Sequence, residues 1–201
     1  MICKHPLKKR AHDLTLPTTV TAFLHSIQVA KPTAIRHMDQ EVQTGIFKLP
    51  VSGPVMVRRL NIDGDRQGDL TVHGGVDKAV YCYASEHYPA WQEELGRELP
   101  YGTFGENLTV SGLLEPELHL QDVLEVGDAV LQVSQPRFPC FKLGIKIGDQ
   151  RFVKRFQESG RSGFYCRVLQ EGLIEPGQPI RLTERDESQS TIASIVAARN
   201  K

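Results

Sequence analysis

The sequence lacks an excess of either charge: 24 Lys and Arg stand against 24 Asp and Glu, so the formal charge is zero. That removes the broad electrostatic attraction expected of a protein that binds a nucleic-acid polymer or an anionic membrane. No run approaches the roughly 20 apolar residues that a membrane-spanning helix requires. The four cysteines (Cys3, Cys82, Cys140 and Cys166) form no CxxC pair, which excludes a zinc ribbon, a thioredoxin-type pair and an iron–sulfur cluster spacing. Scattered thiols of this kind make no disulfide framework, so a reducing cytoplasm is the compartment expected. The GxSxG, P-loop, GxGxxG and HExxH signatures are missing too, and with them the usual marks of several enzyme classes. What remains is an ordinary globular mixture, 40% hydrophobic and 24% charged over 201 residues, sized for one domain with at most a short appendage.

Residues 1–19 read as a mobile basic arm. Lys4, Lys8, Lys9 and Arg10 precede an apolar stretch that Asp13, Pro17, His25 and Gln28 interrupt too often for a signal-peptide core. A strand is predicted over residues 20–29, closed by Lys31-Pro32, then a loop with a brief strand over 44–51. Residues 55–62 predict a strand ended by the turn Asp63-Gly64-Asp65, and residues 76–83 another. Ser85 is placed to cap a helix in which Tyr88, Trp91, Leu95 and Leu99 recur at helical spacing, with Pro100 as its stop. Strands follow at 107–110, 123–126 and 129–135, the last two joined through Gly127-Asp128. A helix over 150–158, strands at 163–169 and 179–183, and an amphipathic helix over 190–199 complete the chain. Strands outnumber helices and no βαβ rhythm repeats. The fold class expected is therefore mainly β, a closed or nearly closed barrel with a few helices. A boundary near Glu184 divides a main domain, residues 20–183, from a short C-terminal helical tail, residues 184–201.

Four segments can carry chemistry. In Gln135-Pro136-Arg137-Phe138-Pro139-Cys140-Phe141-Lys142-Leu143, a cysteine directly follows a proline on a loop leaving a strand. Arg137 and Lys142 would favour its thiolate, a good nucleophile and soft-metal ligand; a core cysteine between two phenylalanines fits the same residues. Cys82 and Cys166, each beside a tyrosine in a predicted strand, read as small buried hydrophobes. In His73-Gly74-Gly75, glycine freedom and successive amides can cradle an anion, and a plain turn is the competing reading. Glu106-Asn107, flanked by Gly105, offers hydrogen bonds to a heterocycle edge or a cap to a turn. Lys48 can contact a phosphate or simply face solvent. His87 is expected on the exposed side of the first helix, and His5, His12, His25, His37 and His119 do not cluster.

Taken together, Thr44-Gly45-Ile46-x-Lys48-x-Pro50-Val51, Gly64-Asp65, His73-Gly74-Gly75-x-Asp77-Lys78-Ala79-Val80, Gly102-x-Phe104-Gly105-Glu106-Asn107-Leu108 and the Cys140 segment resemble the MOSC family. These domains are related to the C-terminal domain of molybdenum cofactor sulfurases, and the likeness is greatest to the YiiM-like subgroup. Gly163-Phe164-Tyr165-x-Arg167-Val168-Leu169 and Glu171-Gly172 extend it, so that it covers about residues 20–183. The resemblance implies a MOSC-type β-barrel, PK β-barrel-like, with a pocket for molybdenum cofactor, and no zinc. By likeness to the mitochondrial amidoxime-reducing components, Cys140 is the expected molybdenum ligand. Cys140 and His73 are the expected catalytic residues. Lys48, His73, Gly74, Arg137 and Lys142 would surround the anionic pterin phosphate or the substrate oxygen, and Glu106 with Asn107 would meet a heterocycle. The implied activity is reduction of small N-hydroxylated compounds such as 6-hydroxylaminopurine, a detoxification.

The chain departs from that pattern in three places. It ends at Lys201, where YiiM-like chains continue into a small three-helix domain, and Ala30 replaces a common glycine. It also has no ferredoxin-type cysteine set, so a separate reductase is the expected electron donor. Two other classes stay open: a sulfur or metal carrier working through a Cys140 persulfide, and a cofactor-free binding domain.

Overall fold

Alternation along the strands wraps the sheet around an apolar centre. The computed structural model describes residues 22–66 and 74–201, so the expectations for the N-terminal arm, Cys3 and His73 lie outside the described residues. In chain order the strands are β1 (Ala22–Val29), β2 (Thr33–His37), β3 (Gln40–Thr44), β4 (Leu49–Val51), β5 (Val55–Val57), β6 (Val80–Ala84), β7 (Leu108–Ser111), β8 (Val123–Val126), β9 (Ala129–Pro136), β10 (Phe164–Gln170), β11 (Gly172–Ile174) and β12 (Pro179–Glu184). The helices are α1 (Tyr88–Leu95), α2 (Phe141–Ile147), α3 (Phe152–Glu158) and α4 (Ile192–Arg199). Seven strands close into a barrel in the order β12-β8-β9-β10-β6-β7-β1, with β1 pairing back onto β12. All of these pairings are antiparallel except β6 with β7. The expected mainly β barrel with few helices is what the chain forms.

Strand β6 shows why the barrel needs helices on its outside. All five of its residues are buried. Val80 and Cys82 point into the barrel with Leu24, Leu108, Leu131, Phe164 and Cys166. Tyr81 and Tyr83 point the other way, into a second core with Tyr88, Trp91, Phe104, Phe152 and Phe156. A strand covered on both faces leaves no polar side, and the helices α1, α2 and α3 supply the second cover. Within this aromatic core Trp91 donates its indole N–H to Tyr83 Oη at 2.7 Å. Cys82 and Cys166 are free thiols in the barrel core, as their strand positions suggest, and burial pushes the Cys166 thiol well above its ordinary value.

Several local expectations change. Residues 55–62 form only the short β5, because Arg58 N donates to Asn61 O at 2.7 Å and the chain folds back there. Ser85 does not cap α1: its hydroxyl donates to Glu86, a 3-10 turn covers Ser85–His87, and Pro89 occupies the first turn of the helix instead. Gly96, left-handed at φ 64°, ends that helix before Pro100 is reached. His87 is not on an exposed face, since its ring bonds the buried Glu115 carboxylate at 2.8 Å and packs edge-on against Tyr83. The hairpin β2–β3 and helix α2 are additions to the expected elements.

Helix α4 is joined to the barrel: Ile192 lies in the barrel core and its N–H donates to Leu118 O at 2.8 Å. Thr191 caps this helix, its Oγ1 accepting from Ser194 N at 3.1 Å. Replacing Thr191 by alanine is expected to cost about 1 kcal/mol, read as a fall of roughly 2–4 °C in the thermal midpoint. Among the described residues no helix is long and apolar enough to cross a membrane.

Candidate functional site

One cleft gathers most of the residues singled out in the sequence. It spans about 700 Å³ with the open solvent at its mouth included, and Lys48, Gly74, Asn107, Arg137, Cys140 and Lys142 are all in its wall. They arrive from separate segments: the β3–β4 loop, the turn before β6, the loop entering β7, the loop from β9 to α2, and the first turn of α2 itself. The wall also takes Asp65, Arg66, Lys78, Tyr81, Phe138 and Tyr165, which were not in the expected set. Gly64-Asp65 and Tyr165 do stand inside motifs quoted above, and that was the available signal. Gly105 permits a close approach in the same wall. A Cβ there would meet Ile46 Cγ1 at 2.8 Å, and its φ of +85° favours glycine.

Asp65 organises one side of the cleft. Its carboxylate accepts from Ala30 N at 2.9 Å and from Asn107 Nδ2 at 2.8 Å, and it pairs with Lys48 Nζ. Asn107 in turn accepts from Tyr81 N at 3.1 Å, so its amide ties β6 to the Asp65 loop. The Lys48 and Asp65 side chains are 8% and 1% exposed. Burial pulls the Lys48 amine below its ordinary value, and the neighbouring Asp65 opposes that shift. Beneath this pair lies Lys146, which donates to Ile46 O at 2.7 Å and to Gly102 O. Burial lowers its pKa to about 8; nearby Glu106 opposes the shift, while Lys48 and Arg137 add to it.

Arg137 and Cys140 define the opposite side. The buried Arg137 guanidinium lies 5.3 Å from the ring centroids of both Tyr81 and Phe156. Its Nη2 reaches Phe104 O at 3.4 Å, but its buried Nη1 has no hydrogen-bond partner among the described residues. A buried cationic donor left unpaired costs free energy unless a ligand acceptor meets it. Burial raises the Tyr165 phenol above its ordinary value, against the pull of neighbouring Arg137. Cys140 is half-buried in the cleft wall, extended at φ −126° and ψ 174°, and leads into α2. Lys142, 7% exposed, donates to Gln43 O at 3.1 Å.

Glu106 is not brought to the cleft wall. Its carboxylate is fully buried and accepts from Gly102 N at 2.7 Å, Phe104 N at 3.1 Å, Thr109 Oγ1 at 3.1 Å and the Tyr88 hydroxyl. With its acceptors taken, it shapes the 102–107 turn rather than meeting a heterocycle. Among the described residues, no group of three or more His, Cys, Asp or Glu could hold a metal ion by itself. Cys140 is the one sulfur donor among the described residues of the wall. Such a donor set suits a metal that arrives with its own organic ligand, while the surrounding cations suit a ligand that is anionic.

The MOSC domain model matches residues 69–181. YflK of Bacillus subtilis is 47% identical over 162 residues, which are 81% of this chain and 73% of that protein. A Gibberella moniliformis protein named a reductase is 35% identical over 202 residues; these cover 97% of this chain but 36% of that longer protein. The crystal structure of YiiM from Geobacillus stearothermophilus aligns with a TM-score of 0.74 and 41% identity, over 89% of this chain and 83% of that one.

Proposed function

The chain belongs to the MOSC domain family, and on that footing we propose that it reduces small N-hydroxylated compounds with molybdenum cofactor held in the Cys140 cleft. The observation that carries this reading is the buried Arg137 guanidinium, without a partner at Nη1 among the described residues, in the same wall as the Cys140 thiol. A likeness to a fungal protein named a reductase supports the reaction class. The net reaction consumes two electrons and two protons, converting an N–OH group to N–H and water. Bound cofactor would supply the two-electron centre that accepts the oxygen. Cys140 would be its protein ligand. Arg137, Lys142 and Lys48 would hold its anionic groups, with Asp65 fixing the Lys48 ammonium and Asn107 fixing Asp65. Electrons would come from a separate reductase.

Metal and pterin analysis of protein made in a cofactor-competent host tests this directly. We expect about one molybdenum and one pterin per chain, both lost after exchange of Arg137 for a neutral residue. Protein that carries neither from such a host would overturn the reading. An added sulfur on Cys140, found by mass spectrometry and removable by reductant, would favour a carrier instead.

A further inference from the structure

Lys146 stands outside the cleft wall and yet holds two parts of that wall together. From the last turn of α2 its ammonium donates to Ile46 O at 2.7 Å, in the β3–β4 loop, and to Gly102 O, in the turn that leads to β7. These two segments are packed closely: a Cβ at Gly102 would meet Lys48 O at 3.2 Å. Charged groups face the amine from each element around it. The β3–β4 loop brings Lys48, which Asp65 pairs, and the 102–107 turn brings Glu106, to which the Tyr88 hydroxyl of α1 is bonded. The loop before α2 brings Arg137, and α2 itself carries Lys142, whose amine is turned to Gln43 O. The Phe47 ring is the apolar neighbour, its centroid 6.0 Å from the amine. Burial brings the Lys146 amine down to about 8, so it exchanges its proton close to neutral pH; Glu106 opposes that shift, and the Lys48 and Arg137 charges add to it.

Lys48 and Arg137, which repel the Lys146 proton, both face the cleft, and Arg137 Nη1 is buried there without a partner among the described residues. An anion settling against them cancels that repulsion and adds an attraction of its own. We propose that Lys146 is the proton acceptor of the cleft: an anionic ligand that settles against Lys48 and Arg137 binds together with a solvent proton taken up at the Lys146 amine, so that the site holds its ligand more tightly at neutral than at alkaline pH. The coupling is reciprocal, since the anion draws the proton on and the proton in turn holds the anion. The free amine loses its proton near a pH of about 8, and the liganded amine only at a higher pH. Affinity is therefore full below that point and falls as the pH rises through the interval between the two. A unit charge about 10 Å away inside a protein shifts such an equilibrium by roughly tenfold. The inference rests on the cleft taking an anionic ligand and not on the reduction.

Sulfate, whose charge is constant over this pH range, is the probe. In NMR of the full native chain, the Lys146 side-chain signals, identified by their loss in Lys146→Arg, should titrate at a higher pH once sulfate is added. Sulfate affinity should fall roughly tenfold between about pH 7 and about pH 10, with about half a proton taken up on binding midway through the fall. Lys146→Arg, charged throughout, should lose most of that dependence; any fall left in it belongs to Lys48, whose amine burial also lowers. Arg137→Gln should lose the sulfate. Sulfate that binds through Arg137 while the Lys146 titration stays in place would overturn the proposal alone, as would a pH dependence that survives intact in Lys146→Arg. Sulfate that does not bind the native chain, or binds equally well in Arg137→Gln, would take down the anionic-ligand reading of the cleft and the inference with it.

Discussion

Replacing Cys140 by alanine is expected to abolish reduction of 6-hydroxylaminopurine while the barrel stays folded. The residue lies in the cleft wall and belongs to neither apolar core, so losing its sulfur opens no cavity within them. The stability change should therefore remain within about 0.5 kcal/mol. Activity should fall by at least about a thousandfold, equivalent to some 4 kcal/mol of transition-state stabilisation. Cofactor-loaded native protein and the variant would be compared in a reductant-driven assay beside a thermal melt. A variant that retained a tenth or more of the native rate would remove Cys140 from the chemistry.

Glu106→Ala should have the reverse profile, a large loss of stability from a residue outside the cleft wall. Its carboxylate receives two backbone amides, one hydroxyl from Thr109 and one from Tyr88, all in a site sealed from solvent. Removing it strands those donors, and it also takes away the carboxylate that favours the charged form of Lys146. A cost of about 3–5 kcal/mol is expected, a large part of the roughly 5–15 kcal/mol that holds a typical domain together. Glu106→Gln, which keeps a carbonyl acceptor, should lose less. Urea unfolding would show the midpoint falling with little change of slope. A loss below about 1 kcal/mol, accompanied by failure to retain pterin, would return Glu106 to the role of ligand contact.

These two carboxylate and thiol positions show what the sequence conveys about the site. Cys140 was legible because a preceding proline and flanking cations form a local context, and the cleft brings Arg137 and Lys142 into one wall with it. Glu106 was legible as unusual but not as to direction, because a Gly-Glu-Asn turn reads the same whether the carboxylate faces a ligand or the backbone behind it. Asp65 looked like a turn residue, and its pairing with Lys48 and Asn107 depends on contacts 17 and 42 positions away. The barrel strands followed from alternation. The β2–β3 hairpin did not, since Met38 and Asp39 take positive φ of 47° and 60° without the Asn-Gly signal that marks such turns. Helix α2 was obscured by Gly144. The absence of a side chain there lets the helix approach Gln150, whose Oε1 would lie 2.6 Å from any Cβ added at that glycine. Tertiary packing, rather than helix propensity, explains that element.

The seam between β1 and β12 has a consequence for how the protein comes into being. Among the described residues two pairs join these strands, Ala22 with Ile180 and Phe23 with Pro179, helped by the exchange between Leu24 and Gly177 and Gln178. A chain leaving the ribosome therefore presents every cleft residue up to Tyr165 before the strand that closes the barrel has emerged. Until then β4 covers Ile27–Val29 but the start of that edge, at Ala22 and Phe23, stays open, and an open strand edge is a template for mispairing with other nascent chains. Closure must bring together opposite ends of the described chain, the kind of long-range encounter that slows folding. The barrel seam is thus completed last in chain order, after every residue lining the cleft has been made.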